Sequence, residues 1–342
     1  MLSPLFFLLY RSRSIACNVG RLCEAVDFEK QKFNRMTEDN LHTKVDLENG
    51  SPAFAKPMLP AGAVGLRVLS LFDGMSCGQQ ALERIGVNVL EYYASEIDKH
   101  AIAVTMHNYP NTKQLGSVVD VDGYKLPKID LLIGGSPCQG FSFAGKQLNF
   151  EDDRSKLFFE FVRLLKETNP TYFLLENVVM KQEYQDVISE HLGVKPILIN
   201  SALVSAQNRK RLYWTNIPNI EQPKDLNLNI ADTVMNNCDA SFFIENRNIR
   251  GKNALNKLRL SERQLNEKYR CLTARGQGGT NAGATTIRLS DGKLRIPTPE
   301  ECEAAQTVPI GYTNVVSKTQ RYKMLGNGWT VDVIAHIFKG LI

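Results

Sequence analysis

Residues 64–107 read VGLRVLSLFDGMSCGQQALERIGVNVLEYYASEIDKHAIAVTMH, a stretch that alternates between two kinds of hydrophobic pattern. Residues 64–72 are a β-rich apolar run, 77–85 read as a helix, 90–97 as a second strand and 99–107 as a second helix. Strand and helix in turn are the signature of βαβ units and a parallel sheet, because parallel neighbours need a crossover that a helix supplies.

The pattern continues outward from this core. A buried strand is predicted at 129–133, a helix at 155–166, and strands at 172–175 and 195–200. In the helix, Leu157, Phe158, Phe161, Leu164 and Leu165 share one face. After Ile217 the alternation stops, and 218–295 turn rich in Asn, Arg and Gly before helices return at 300–306 and 330–341. The chain therefore divides into a poorly ordered leader over 1–62, an α/β domain over 63–217, a small irregular lobe over 218–295, and a segment over 296–342 that rejoins the α/β domain. The fold class is α/β, with a doubly wound, mostly parallel sheet.

Composition narrows the function. With 342 residues, 43% of them apolar and 23% charged, the chain can bury a core without staples. Seven cysteines, an odd number with no CxxC pair, argue against a disulfide framework and a zinc site, so no metal is expected. No apolar run approaches the roughly 20 residues of a spanning helix, and no membrane partner is expected. The net charge of +5 is unevenly spread: residues 244–295 hold twelve Lys and Arg against four acids, a surplus of eight, which leaves the remainder at −3. A basic segment on an acidic body suits a polyanion.

In an open α/β sheet, ligands sit beyond the carboxyl ends of the strands. The first such turn is Phe72-Asp73-Gly74-Met75-Ser76-Cys77-Gly78. Gly74 and Gly78 permit a tight turn, but the GxGxxG fingerprint of a pyrophosphate binder is missing. The second strand ends in Glu96, 24 residues past Phe72, close to the roughly 20-residue offset at which an acid takes ribose hydroxyls. A nucleoside without a diphosphate, such as S-adenosylmethionine, fits this pair of features.

The strand at 129–133 runs into Gly134-Gly135-Ser136-Pro137-Cys138-Gln139-Gly140, placing a cysteine on a loop at a strand's carboxyl end. The strand at 172–175 delivers Glu176 and Asn177 to the same rim, where the acid should be partly desolvated and able to hold or share a proton. Arg209 and Arg211, if extended, share one face. A thiol, a carboxyl and guanidinium donors are the groups needed to attack a cytosine: thiolate addition at C6, with a proton on N3, makes C5 reactive toward a methyl donor.

On these residues the chain resembles the C5-cytosine DNA methyltransferases, bacterial or phage in type. The match runs from Val68 to Phe338 through Phe72-Asp73-Gly74, Pro137-Cys138-Gln139-Gly140, Glu176-Asn177-Val178, Gln207 with Arg209 and Arg211, Thr298-Pro299, and Leu325-Gly326-Asn327-Gly328-Trp329. Gly134 to Cys138, LFFEFVRLL over 157–165, and ENVV over 176–179 are also similar to the catalytic domain of animal de novo DNA methyltransferases. The resemblance implies a Rossmann-like methyltransferase fold and S-adenosylmethionine as methyl donor. It further implies Cys138 as nucleophile, Glu176 on N3, Arg211 on O2 and Arg209 in support. Phe72 would stack on adenine beside Asp73, Gly74, Ile97 and Pro137, with Glu96 on the ribose and Asn327 and Trp329 closing the pocket. Ser117-Val118 stands where the family usually has Asp before an apolar residue, with Asp120 as a possible substitute.

By the same resemblance the partner is double-stranded DNA, from which the target base is flipped out. The 218–295 lobe would read the sequence, and the loop at 139–155 would act as a lid. A restriction endonuclease would be the cognate partner in a restriction-modification pair. The setting would be a bacterial or phage-infected cytoplasm or nucleoid, or a nucleus. A tRNA cytosine methyltransferase shares the chemistry, but its loop usually continues with Pro where this chain has Gly140. A nicotinamide oxidoreductase would need the absent GxGxxG, and a silent module would not need an intact Cys138, Glu176 and Arg211.

Overall fold

Strand β1 (Leu66–Leu71) is apolar on both of its faces, and it lies near the middle of a seven-stranded sheet. Val68 packs on one side of the sheet and Leu69 on the other, each wholly buried in a separate apolar cluster. A strand covered on both faces has no polar side to show, which is why its sequence is a near-continuous apolar run.

The computed structural model describes residues 65–136, 153–235, 237–244, 256, 260–275 and 284–342, with side chains of 153–155 left aside. The expected leader over 1–62, Pro137 and Cys138 of the expected nucleophile loop, and the expected lid up to residue 152 lie outside the described residues.

From β1 the chain passes through α1 (Cys77–Arg84), β2 (Val89–Ser95), α2 (Lys99–Asn108) and the two-residue β3 (Lys113–Gln114). It then returns to the other side of β1 as β4 (Leu131–Gly135), followed by α3 (Asp153–Thr168), β5 (Tyr172–Val178), α4 (Gln182–Leu192), β6 (Ile197–Asn200) and β7 (Lys210–Thr215). The sheet order is β3-β2-β1-β4-β5-β7-β6, so the chain reverses direction across the sheet between β1 and β4. That reversal opens a crevice at the carboxyl ends of these two strands. Helices α1, α2 and the C-terminal α7 (Val331–Phe338) contribute to one apolar cluster, and α3 and α4 to the other. The architecture is therefore α/β, doubly wound and mostly parallel.

One strand runs the other way. The link from β6 to β7 spans residues 201–209, too short for a crossover, so β7 folds back and inserts antiparallel between β5 and β6. Its first residues thereby reach the rim where the parallel strands end, with Arg211 paired to Val178 and Tyr213 to Glu176. Sequence reading did not place β3, α4, β7 or α6 (Lys318–Asn327). Helix α4 offers only Ile188 and Leu192 as fully buried residues, too sparse a stripe to declare a helix.

The irregular stretch after 217 carries a small sheet of β8 (Glu262–Arg263), β9 (Thr286–Arg288) and β10 (Leu294–Arg295), in the order β10-β9-β8. Ile230, Tyr269, Leu272 and Ile287 from this stretch join the same apolar cluster as β1 and α7. Part of its positive charge is internal: Lys268 donates to the carbonyls of Ala202, Ser205 and Leu228. Arg288 pairs with Glu262 and Lys293 with Asp291.

Arg295 is fully buried against Glu301, which also completes a capping box with Thr298 at the start of α5 (Pro299–Ala305). Removing one member of a buried pair leaves the other charge uncompensated in a poor solvent. Glu301→Ala is therefore expected to cost about 3–5 kcal/mol of unfolding free energy, whereas the apolar double replacement Arg295→Met with Glu301→Leu costs far less. Equilibrium urea unfolding of the two variants checks this, and equal losses would show that the stranded Arg295 charge is not what destabilises the single variant.

Candidate active site

The turn after β1 is wound tightly by left-handed backbone at alternate residues: Phe72 at φ 57°, Gly74 at φ 60° and Ser76 at φ 59°. For Phe72 and Ser76 this conformation is costly and must be held by surrounding contacts. Those contacts converge on two acids. Asp73 accepts from Tyr92 Oη at 2.8 Å and from Ser76 Oγ, while Glu96 Oε2 accepts from the Gly74 amide at 2.8 Å. Glu96 Oε1 takes the amides of Ile97 and Asp98, at 2.7 and 2.8 Å. Oε1 is filled by its two amides while Oε2, with one donor, keeps acceptor capacity, so the carboxylate is oriented without being used up. Burial, reinforced by the nearby Glu96 charge, lifts the Asp73 carboxyl to about 6 against hydrogen bonds from Ser70, Ser76 and Tyr92 that pull it down.

Around this turn opens a cavity of about 540 Å³, within the range of small-molecule and cofactor sites. Its walls include Phe72, Asp73, Gly74, Glu96, Ile97, Ser117, Val118, Asn327 and Trp329, all expected as cofactor contacts, and also Glu176, Arg209 and Arg211. Ser117 and Val118 face this cavity, whereas Asp120 is exposed and does not line it.

At the other end, Glu176 sits level with Gly135 in the β4–β5 pairing and is 8% exposed. Arg211 Nε lies 2.9 Å from its Oε1, and the Trp329 indole nitrogen donates to its Oε2 at 3.1 Å. Asn177 donates to Ser136 Oγ at 3.1 Å, anchoring the last described residue before Pro137 and Cys138. Trp329, expected only beside the cofactor, thus also touches the reactive end.

Arg209 behaves differently from Arg211. Its Nη1 donates to the Leu272 carbonyl at 3.0 Å and its Nη2 to the Gly328 carbonyl at 2.9 Å, with Gly326 O at 3.3 Å from both. Its buried Nε has no hydrogen-bond partner. Arg209 is thereby a clamp between the 271–274 segment and the turn after α6. The approach is close: a Cβ on Gly326 would come within 2.1 Å of the Thr273 carbonyl carbon, so only glycine fits there. Cys77 also lines the cavity, but burial pushes its thiol up to about 12, which keeps it protonated.

Tyr92, Ser95, Gln306 and residues 271–274 complete the site without having been singled out in the sequence. Tyr92 sits among strand residues that read as core, and 271–274 belong to a stretch with no periodicity to place it. Among the described residues there is no cluster of His, Cys, Asp and Glu that could hold a metal, and no helix long and apolar enough to cross a membrane.

With this geometry in view, the comparisons with known proteins agree. The family model for C-5 cytosine-specific DNA methylase matches residues 66–270 and 216–342. The orphan methyltransferase M.SPRI of Bacillus phage SPR is 41% identical over 164 residues, 43% of this chain and 37% of that protein. The chain thus spans little more than a third of that phage relative. The type II methyltransferase M.HhaI of Haemophilus parahaemolyticus is 28% identical over 312 residues, covering 80% of this chain and 93% of that one. In fold, the chain matches the Entamoeba histolytica methyltransferase EhMeth with a TM-score of 0.70 at 18% identity, over 81% of this chain and 98% of the other. The S. pombe Dnmt2 methyltransferase matches at 0.62 and 19%, over the same shares.

The raised Asp73 carboxyl has a thermodynamic consequence. An unfolded Asp loses its proton near 3.8 and the native one near 6, so the native state binds the extra proton across that interval. This group's contribution is present below about pH 4 and is lost as pH rises through about 6. The Tm of the wild type relative to Asp73→Asn should accordingly fall across that interval. A Tm difference that does not change with pH would contradict this.

Proposed function

The chain belongs to the C-5 cytosine-specific DNA methylase family, and from that premise we propose that it transfers a methyl group from S-adenosylmethionine to C5 of a cytosine flipped out of duplex DNA. The observation that carries this reading is the Glu176 carboxylate, gripped by Arg211 and Trp329 in the same cavity as the ribose-type acceptor Glu96.

The donor set fits the cofactor. Asp73 and Glu96 sit together at one end of the cavity, where a diphosphate would meet like charge and a cationic sulfonium and amino group would not, while Asp98 beside them is paired with Lys323. Phe72 offers a ring for adenine, Glu96 offers acceptors for the ribose hydroxyls, and Ser117 can hydrogen-bond an exocyclic amine. Gly74, Ile97, Val118 and Asn327 shape the rest of this end. When bound there, S-adenosylmethionine supplies an electrophilic methyl group.

The chain's own residues supply the activation. Cys138 contributes a thiolate that adds to C6 of the pyrimidine, and the C5–C6 double-bond electrons move toward C5 and the N3 end of the ring. Glu176 places a proton on N3 to receive that charge, and Arg211 donates to O2. C5 then takes the methyl group as the methyl–sulfur bond breaks and leaves a neutral thioether; the C5 proton passes to solvent water, its electrons re-form the C5–C6 bond as the Cys138 thiolate is expelled, and the N3 proton returns to Glu176. Arg209 supports this by holding the turn that carries Trp329. Residues 63–217 and 296–342 make up the catalytic and cofactor-binding domain, and 218–295 read the DNA sequence.

Methyl transfer from labelled S-adenosylmethionine to duplex DNA, run in parallel with tRNA, tests the reading. Label is expected in DNA cytosines, to fall at least about a thousand-fold in Cys138→Ala and about a hundred-fold in Glu176→Gln. Label confined to tRNA would move the chain to a tRNA substrate, and label in neither would overturn the proposal.

A further inference from the structure

Glu176 is held by two different elements, and the two contacts do different work. Arg211 approaches it through Nε, 2.9 Å from Oε1, while its Nη1 donates to the Lys210 carbonyl at 2.8 Å and its Nη2 turns toward Cys271 Sγ at 3.9 Å. A contact on one oxygen fixes where a carboxyl group sits and leaves its rotation soft, since the terminal torsion of Glu has a broad profile. The Trp329 indole N–H on the second oxygen, at 3.1 Å, removes that freedom.

The surroundings are built around this second contact. A Cβ on Gly135 would come within 2.9 Å of the indole nitrogen and 3.1 Å of Glu176 Oε2, so the bare backbone leaves room for the pair. The Gly328 carbonyl is held by Arg209 at 2.9 Å and by Gln306 Nε2 at 3.2 Å. On the other side of Trp329, Thr330 donates to Gln306 Oε1 at 2.8 Å and accepts from Ser201 at 2.9 Å. The main chain is thus pinned both before and after the tryptophan. An indole serving only as a cofactor wall would need its ring face, and would not need its N–H aimed at a carboxylate.

We infer that Trp329 is a positioning residue for Glu176, fixing the rotation of the carboxyl group and hence the direction in which it meets N3 of the cytosine. This rests on the methyltransferase reading of the site. Among the described residues, other charged or titratable groups that act on Glu176 include Arg209, Tyr213 on β7 and Cys77 on α1, and none of these hydrogen-bonds its second oxygen.

The chain has only two tryptophans, which makes the contact directly observable. Trp214 donates instead to Ser189 Oγ at 3.0 Å. In a 15N–1H spectrum of the full chain, Glu176→Gln should move one indole resonance, the one that Trp329→Phe removes, and leave the other in place. If Glu176→Gln moves neither, the proposal falls. In steady-state assays on duplex DNA, Trp329→Phe should lower kcat about ten- to a hundred-fold, the worth of one hydrogen bond to a charged group, with the KM for S-adenosylmethionine within about threefold. A raised KM with kcat intact would make Trp329 a cofactor wall only and overturn the proposal, as would an unchanged kcat alongside the indole shift. Gly135→Ala, which wedges the pair apart and leaves both side chains in place, should show the same kcat loss and carries the kinetic arm if Trp329→Phe does not fold. Should the wild type methylate no nucleic acid, the methyltransferase reading fails separately, and the indole shift alone decides the contact.

Discussion

A carboxylate buried at a strand end, Glu176, is the constraint on which the rest of this structure turns. A desolvated charge has to be paired and hydrogen-bonded, or the fold bears its full desolvation cost. Here the partners come from two elements far apart in sequence. Arg211 arrives because β7 runs against its neighbours, and Trp329 because the last turn before α7 is drawn back over the sheet. The antiparallel insertion and the return of the C-terminal segment are the two irregularities in an otherwise simple doubly wound sheet, and both end at this one side chain.

Polar groups buried behind that carboxylate form a second layer. Gln207 donates to Gln306 and to the Ala305 carbonyl and accepts from the Leu272 amide. Gln306 donates to the Leu325 and Gly328 carbonyls, and Arg209 joins Leu272 to Gly326 and Gly328. Main chain that carries no regular hydrogen-bond ladder must find its partners elsewhere, and these three side chains supply them. The result ties the stretch after residue 217 to the catalytic end of the sheet by directed bonds as well as by the shared apolar cluster. At the opposite end of the cavity Asp73 and Glu96 are set around the first turn, with Asp98 beside them paired to Lys323. One cavity thus holds carboxylates around the first turn and the Glu176–Arg211 pair at its other end.

Much of this was legible in the chain. The apolar runs of β1, β4 and β5 and the helical stripe of α3 identify a sheet covered on both faces, because burial on two sides leaves a pattern that needs no partner to be read. Phe72, Glu96 and Glu176 were recognisable for a related reason: each lies near the carboxyl end of a strand, and such ends meet at one rim, whereas Arg211 stood out by its period-two spacing with Arg209. Ser117 over Asp120 could not be chosen that way, since the short turn at Val118–Asp120 decides which of the two faces inward. Residues 271–274 left no sequence signal, because non-periodic chain held by long-range bonds has no local pattern.

Fold class, the alternation of the main strands and helices and the chemical types gathered at the rim follow from the chain alone, because hydrophobic period and strand-end position are local properties. That Arg209 is a clamp while Arg211 meets the carboxylate emerges only once the chain is folded. Folding also decides that Trp329 faces Glu176 as well as the cofactor end, and that part of the positive charge after residue 244 is bound up internally. Each of these depends on partners far away in sequence, such as Trp329, 153 positions beyond Glu176. No local rule reports the direction of a side chain whose hydrogen-bond partner is brought to it by the fold of the whole domain.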